Sequence, residues 1–391
     1  MTRPAAAPMM RRVEQSLEVS LARCASYAPD ALQAGLEQVL APLGGLERFV
    51  RSGQSVLIKP NLLTDRPPEQ AVTTHPVVVQ AIIRLVKASG GIPSVGDSPA
   101  STVKLAEVWE KTGMRGLCEA EAVPLLNLEK AGSRAFTVDG CTFNIAQPIL
   151  DADVVINAPK VKTHSLTVLT AGVKNLYGAV PGYQKTNLHV LCPKPADFGH
   201  MLVGVLDTVK PALTIADGVT AMEGPGPAAG RPYPLGLLAA SCDAAALDVV
   251  LCRVLGINPL AVPYLREIIE RRSRAGSFDG VEVRGVQIAE IQARRFEAPG
   301  NLPARLIPRP LARLAAPLIW IRPAISDACV RCGRCVKACP TEALSMRVGQ
   351  RPVLKPQRCI GCCCCHEVCP VNAISMARSP LLRALSRGGV V

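Results

Sequence analysis

Aromatic residues are scarce in this chain. Two Trp, five Tyr and six Phe make up 3% of its 391 residues. The formal charge is +13, yet basic and aromatic residues are not interleaved and no DNA-binding motif is present. Nucleic acid is therefore not an expected partner. Long apolar runs are missing too. None reaches the ~18 residues of a membrane span. The N-terminal MTRPAAAPMMRRVEQS has no apolar stretch after its arginines, so it does not read as a signal peptide. The polar ValGluGlnSer after Arg11-Arg12 argues against twin-arginine export. A cytoplasmic setting, where thiols stay reduced, is the expectation. Nucleotide fingerprints are absent as well. GlyAlaValProGly (178–182) lacks the closing Gly-Lys-Ser/Thr of a P-loop, and GlyProGlyProAlaAlaGly (224–230) has the wrong spacing for GxGxxG.

Cysteine, by contrast, is plentiful, with sixteen in the chain. Ten lie in two runs, CVRCGRCVKACP and CIGCCCCHEVCP, and eight of these carry the ligand spacing. Each run has the spacing C-x2-C-x2-C-x3-C-P of a bacterial two-cluster ferredoxin. Iron in a cubane needs one thiolate each. Three cysteines at x2 spacing wrap one cluster on a tight loop, and the fourth, before the proline, serves the other cluster. This assigns Cys329, Cys332, Cys335 and Cys369 to one [4Fe–4S] cluster, and Cys359, Cys362, Cys365 and Cys339 to a second. Disulfides would need a secreted chain, and zinc sites use CxxC pairs separated by a longer loop. ThrGluAlaLeu (341–344) and ValAsnAlaIle (371–374) follow the two Cys-Pro pairs, as the short elements of a ferredoxin would. Cys363 and Cys364 are not needed as ligands and are expected to pack, with an alternative ligand set as the other reading. Cys24, Cys118, Cys141, Cys192, Cys242 and Cys252 have no ligand spacing and are expected to be small buried hydrophobes. Two oxidised cubanes with their thiolates would carry about −2 apiece and bring the chain to about +9. Ten Lys/Arg against three Asp/Glu lie between Asp327 and Val391. That excess either attracts an acidic ferredoxin or flavodoxin as electron donor or acceptor, or offsets the cluster charge.

The rest of the chain alternates short apolar strands with amphipathic helices. Strands are expected at 18–23, 55–58, 92–95, 153–156, 213–216 and 235–240. Helices are expected at 30–40, from ThrHisPro (74–76) with Thr74 as the cap, at 102–112, through Phe198 to Val209, and after Asp243. The pattern implies an α/β domain whose mainly parallel sheet is covered by helices on both faces, with a small α+β ferredoxin-like domain behind it. The expected boundaries are a disordered tail (1–16), the α/β domain (17–300), a Pro/Arg-rich linker (301–325), the ferredoxin (326–378) and a basic tail (379–391). Apolar residues 311–321 are expected to pack on the large domain rather than on a membrane surface.

Ligands of such sheets sit beyond the carboxyl ends of the strands. The residues there are Lys59 and Asn61, Asp97 and Ser98, Lys160, Lys162 and His164, and Asp217 and Glu223. Any one of them could simply mark a chain emerging into water. Together they suggest one cleft. The loop 170–183 adds Lys174 and Asn175 among Gly172, Gly178 and Gly182, and His189 follows it. Lys59, Lys160, Lys162 and Lys174, with Asn61, Asn175 and Glu223, are the candidate substrate-binding residues, suited to a carboxylate or phosphate. His164 and His189 are the candidate proton donors, and Asp97 and Asp217 would orient them or hold a metal.

LysProAsn (59–61), ThrHisPro (74–76), GlyAspSer (96–98), AsnAlaProLysValLysThrHis (157–164), GlyValLysAsnLeuTyrGlyAlaValProGly (172–182) and AspGlyValThrAlaMetGluGlyProGlyPro (217–227) together resemble the domain-of-unknown-function 362 family. The resemblance covers about residues 17–300, and a C-terminal ferredoxin is a common arrangement in that family. The large domain is also distantly similar to the lactate-racemase family, which implies lysine and histidine around a nickel-pincer cofactor. The readings that follow are an iron–sulfur oxidoreductase acting on an anionic small molecule, a non-catalytic electron carrier or a metallocofactor or protein assembly factor with the α/β domain as docking module, and racemase-like chemistry. A further metal or cofactor in the α/β domain is left open.

Overall fold

Eleven strands form the sheet at the centre of the large domain. The computed structural model describes residues 17–100, 102–182, 184–272, 280–291, 293, 295–298 and 320–380. The expected N-terminal tail, most of the linker and nearly all of the basic tail lie outside the described residues. In chain order the strands of the large domain are β1 (Glu18–Arg23), β2 (Ser55–Pro60), β3 (Ile92–Asp97), β4 (Leu125–Asn127), β5 (Ser133–Val138), β6 (Cys141–Ala146), β7 (Val154–Ala158), β8 (Lys160–His164), β9 (Val168–Thr170), β10 (Leu213–Glu223), β11 (Arg231–Tyr233), β12 (Leu237–Ser241) and β13 (Glu282–Gly285). The sheet runs β13-β1-β12-β10-β7-β2-β3-β4, with β8, β9 and β11 attached near β10. Pairing is parallel from β10 through β7, β2 and β3 to β4, and antiparallel where β12 joins β1 and β10.

Two apolar cores lie on opposite faces of this sheet, as the period of two along each strand requires. Leu57, Val155, Ala216 and Ala239 face the core built with Phe198, Leu202 and Val205. Val56, Ile58, Val154, Ile156 and Ile215 face the other, against Leu36, Val79, Ile82, Ile83 and Val86. The helices Pro29–Leu40, Pro76–Ala88, Pro195–Val209 and Ala244–Val254 match expectation. Asp243 caps the last by accepting from the N–H groups of Ala245 and Ala246. The cap before Pro76 is His75 rather than Thr74. Thr74 is used elsewhere: its hydroxyl donates to the Ala158 carbonyl (2.7 Å) and accepts from the Asn61 N–H (2.9 Å). The helix expected over 102–112 is shorter, Leu105–Lys111. Of the scattered cysteines, Cys24, Cys118, Cys192 and Cys252 are buried, and Cys141 and Cys242 are half-buried.

Residues 160–164, expected only as a strand end, form a strand of their own. β8 pairs with β10 and folds back onto β9, matching Lys162 with Thr170 and His164 with Val168. Its pairing with β10 is irregular between Asp217 and Met222, and that irregularity decides where Lys160 and Lys162 go.

The C-terminal unit has strands β14 (Ile321–Ile325), β15 (Leu344–Ser345), β16 (Val353–Leu354) and β17 (Ile374–Arg378), paired β14–β17 and β15–β16. Residues 321–325, expected in the linker, thus belong to the ferredoxin sheet. A 30-residue repeat is visible in the backbone. Arg331 and Gly361, Gly333 and Cys363, and Glu342 and Asn372 all have positive φ. Cys363 (φ 67°) therefore occupies the left-handed position that Gly333 fills in the first half.

The ferredoxin packs over the strand ends of the large domain. Buried Arg66 donates to the Cys369 carbonyl (2.5 Å) and to Asn372 Oδ1 (2.6 Å). Asp65 accepts from Arg334 (2.8 Å) and Lys111 (2.9 Å). Burial would raise the Asp65 carboxyl, but these cations outweigh it and hold it at about 2.

Candidate functional site

A cavity of about 70 Å³ lies between the strand ends and the ferredoxin. It can hold a small molecule or a few waters. The large domain lines it with Asn61, Asp97, Lys162, His164, Lys174, Asn175 and His189, all expected site residues, and with Ser98, Thr170, Tyr177, Gly178 and Lys185. The ferredoxin closes it with Ala338, Cys364, Glu367 and Val368. Lys59 lies directly beneath, its Nζ 2.7 Å from Asp97 Oδ1.

The floor is built from buried groups that satisfy one another. Asp97 holds Lys59 with Oδ1 and accepts from the Leu62 N–H with Oδ2 (2.7 Å). Gly178 has to be glycine here, because a Cβ would fall 1.9 Å from Asp97 Oδ1 and 2.6 Å from Lys59 Nζ. A chain of amides crosses the floor. Lys162 Nζ donates to Asn61 Oδ1 (2.9 Å), Asn61 Nδ2 to Asn175 Oδ1 (2.9 Å), and Asn175 Nδ2 to Asn157 Oδ1 (2.8 Å). Asp248 anchors the loop from below by accepting from the N–H groups of Gly172 and Val173.

Above that floor the groups are less well matched. Lys162 is 1% exposed and makes no ion pair among the described residues; besides Asn61 it donates to the Val72 carbonyl (2.5 Å). Burial pushes its amine down to about 7. Lys174 lies over the rings of Tyr177 (4.6 Å) and Phe198 (5.6 Å), and burial lowers it to about 8. No hydrogen bond or ion pair holds its ammonium among the described residues. His189 stacks on Phe198 (4.6 Å), and its buried Nδ1 has no partner; the same is true of the Thr170 hydroxyl. Buried polar atoms without partners are uncommon, and here they border a cavity.

His164 joins the two domains. Its Nδ1 accepts from the N–H groups of Leu166 (3.1 Å) and Thr167 (3.4 Å), which places the proton on Nε2. Nε2 faces Glu367 Oε1 at 3.3 Å. Burial pushes His164 and His189 down to about 4, so both are neutral at neutral pH. Burial would raise Glu367, but the hydrogen bond from His164 and the charge of Lys174 outweigh it and hold the carboxyl at about 2.

Three expected site residues lie apart from the cavity. Lys160 and Asp217 form a separate centre, Nζ to Oδ2 2.9 Å, completed by Tyr27, whose hydroxyl donates to Asp217 Oδ1 (2.9 Å), and by the His75 N–H. Tyr27 stacks on His75 at 3.7 Å. Glu223 sits at the far end of β10, paired with Arg231 (3.2 Å) and accepting from the Glu297 N–H (2.8 Å). Glu367, Lys185 and Thr170 were not singled out in the sequence. Glu367 carried one signal, being the acid of the second cysteine run where Lys337 stands in the first.

In the ferredoxin, Cys329, Cys332, Cys335 and Cys369 line one apolar cage with Ile325, Val330 and Ile374. Cys339, Cys359, Cys362 and Cys365 line a second with Leu344, Leu354 and Met376. Each cage takes three cysteines from one run and the fourth from the other, the crossed set that the spacing requires. The N–H groups of Ala343 and Ala373 donate to Cys339 Sγ (3.1 Å) and Cys369 Sγ (3.2 Å). Among the described residues no three His, Cys, Asp or Glu converge on a single ion. A cubane, whose thiolates each bind a different iron, does not need them to. Cys363 borders the second cage, whereas Cys364 turns to the cavity.

An α/β domain with a cluster-binding ferredoxin seated on its strand ends defines an iron–sulfur protein. The profile of the family described as Domain of unknown function (DUF362) matches residues 56–253, and that of the 4Fe-4S dicluster domain matches 328–373. The chain belongs to the DUF362 family. It is 44% identical over 251 residues to a thylakoid-associated protein of Synechocystis sp., a match covering 63% of this chain and 77% of that one. Among solved structures, the lactate racemase apoprotein from Thermoanaerobacterium thermosaccharolyticum aligns with TM-score 0.39 and 12% identity, over 63% of this chain and 59% of that one. A protein from Thermotoga maritima aligns with TM-score 0.33 and 16% identity, over 52% and 53%. The chain thus spans little more than half the length of these two structures. No helix among the described residues is long and apolar enough to cross a membrane.

Proposed function

We propose that this chain is an oxidoreductase that carries electrons through two [4Fe–4S] clusters to a small anionic substrate held in the interdomain cavity. The observation that carries this reading is the position of Cys364 and Glu367. Both come from the second cysteine run, and both face the cavity that Lys162, Lys174 and His189 line. Bound at Cys329, Cys332, Cys335 and Cys369, and at Cys359, Cys362, Cys365 and Cys339, the clusters would supply single electrons.

The residues of the chain bind the substrate and provide protons. Lys174, which no ion pair holds among the described residues, attracts the anion, and Thr170 and His189 Nδ1 are left to meet its polar atoms. Lys162 is the proton source, because an amine near 7 can both hold and release a proton at working pH. This role passes from the histidines to the lysine because burial keeps His164 and His189 neutral. His164 instead ties Glu367 to the large domain and keeps the cavity closed on the ferredoxin side. Asp97, with Lys59, holds the floor in place. The cavity volume weighs against the alternative of a docking module for a metallocofactor, which would need more room. An acidic ferredoxin or flavodoxin is the proposed redox partner, in the reducing cytoplasm.

The test is to reduce the anaerobically purified protein and follow the visible absorption while small carboxylates and other oxyanions are added. Reoxidation by one class of anion, abolished in Lys162→Met with cluster absorption intact, is the expected result. Reoxidation by carrier proteins alone would favour a non-catalytic carrier or assembly factor.

A further inference from the structure

The two cages differ in what surrounds them. The cage of Cys339, Cys359, Cys362 and Cys365 has three half-buried cysteines and one buried one. Strand β14 crosses it, so that a Cβ on Gly361 would lie 3.0 Å from the Ile321 carbonyl oxygen, and Pro323 and Met376 line it. Cys364, inside the same run, faces the cavity. The cage of Cys329, Cys332, Cys335 and Cys369 reaches the surface at Cys332. Of the eight ligand cysteines, Cys332 alone is exposed. Val330 (58% exposed) and Val371 (41%) form the rim.

The charge around that rim is basic. Arg331, between Val330 and Cys332, is exposed and has no ion pair among the described residues. Arg347 is exposed in the turn after Met346, whose Cε would lie 3.3 Å from a Cβ on Gly333, within the first cysteine run. Arg351 precedes the cage residue Pro352 and pairs only with Asp327, which is itself 96% exposed. Arg334, in contrast, turns inward to Asp65 and Glu107. The result is an exposed apolar rim beside Cys332, edged by arginines of which Arg331 and Arg347 have no ion pair among the described residues. Such a surface steers and seats a partner of opposite charge.

We propose that a small acidic one-electron carrier protein docks on the Val330–Arg331–Val371 face, so that electrons enter at the Cys329/Cys332/Cys335/Cys369 group and leave from the one whose cysteine run also sends Cys364 to the cavity. This deepens the functional reading above by naming the partner's site, and it rests on that reading only for where the electrons go afterwards. In the docking step one electron leaves the reduced carrier, which is oxidised by one. The iron–sulfur group of the first cage is reduced by one. No bond is made or broken.

The experiment uses the full holoprotein and a strongly acidic [2Fe–2S] ferredoxin as the probe. Calorimetry at low salt gives the dissociation constant with the oxidised ferredoxin, and stopped-flow absorption gives the rate of reduction by the reduced one. Arg331→Glu with Arg347→Glu should weaken binding and slow reduction by about tenfold or more, and Val371→Asp should weaken binding in its own right. Reduction by dithionite should not change, and Lys130→Glu, exposed on the large domain, should behave as wild type. Unchanged binding in all the rim variants would overturn the proposal. So would weakening caused instead by Lys355→Glu with Arg358→Glu beside the other cage. No substrate is present in either measurement. A failure of the cavity as a catalytic site would therefore leave this result intact, and would appear only in the reoxidation assay.

Discussion

Lys160 and Lys162 are two residues apart on β8, and both are almost fully buried, at 0% and 1% exposure. Their surroundings are nevertheless opposite. Lys160 meets a carboxylate and a phenol, Asp217 at 2.9 Å and Tyr27 at 2.8 Å. Lys162 meets only an amide oxygen and a peptide carbonyl, with a cavity beside it. The irregular pairing between β8 and β10 separates them, since Asp217 is aligned with Lys160 and Met222 with Lys162. Burial lowers both amines; at Lys160 the hydrogen-bonded carboxylate of Asp217 opposes it, whereas at Lys162 only carboxylates that make no hydrogen bond to the amine, Glu367 first, do so. A buried charge with its partner holds a fold together. A buried amine without one costs stability and is kept where a ligand or a proton needs it.

This contrast can be broken most forcefully at the paired centres. Lys160→Ala leaves Asp217 buried and unpaired and should cost about 3–5 kcal/mol in chemical denaturation. Gly178→Ala should cost a similar amount, because the new methyl overlaps the Lys59–Asp97 pair. Lys162→Met removes an amine that no ion pair holds among the described residues, so a change within about 1.5 kcal/mol of wild type is expected, together with loss of reoxidation by small anions. A loss as large as that of Lys160→Ala would mean that Lys162 is structural as well.

A pH series sharpens the same point. The folded-state values of Lys162 (about 7), Lys174 and Lys185 (each about 8) lie below the ordinary 10.5. Between those values the unfolded chain binds more protons than the folded one, so stability should rise with pH from about 7 towards 10. Lys162→Met should flatten the lower part of that rise. The smallest effect is expected at Gly182. It has φ +47° and open space around a Cβ, so Gly182→Ala should cost only about 1 kcal/mol.

How much was legible from the sequence follows from how local each feature is. The ferredoxin cages come from eight cysteines at fixed spacing, and a single strand register of the large domain can be read from runs such as Ser55–Pro60. The cavity was only partly legible. Asn61, Asp97, Lys162, His164, Lys174 and Asn175 stand at strand ends or in the glycine loop, where a polar residue calls for explanation, and His189 stands in the helix after that loop, Gln184–Leu191. Lys160 and Asp217 stand there too, and nothing in the sequence separates them from the others. The separation is made by the β8–β10 irregularity and by Tyr27, 190 residues from Asp217. Glu367 was hidden for a related reason. Its role depends on how the ferredoxin docks, through Arg66 and Asp65, and that contact joins residues about 300 positions apart.

The measurement that bears most directly on the account is anaerobic single-turnover reoxidation of wild type and Lys174→Met, each reduced beforehand and mixed with small carboxylates. The account predicts fast, saturable reoxidation in wild type and a loss of at least tenfold in the variant, with the cluster spectra identical. Equal rates in the two proteins, or no acceleration by any small anion, would contradict it.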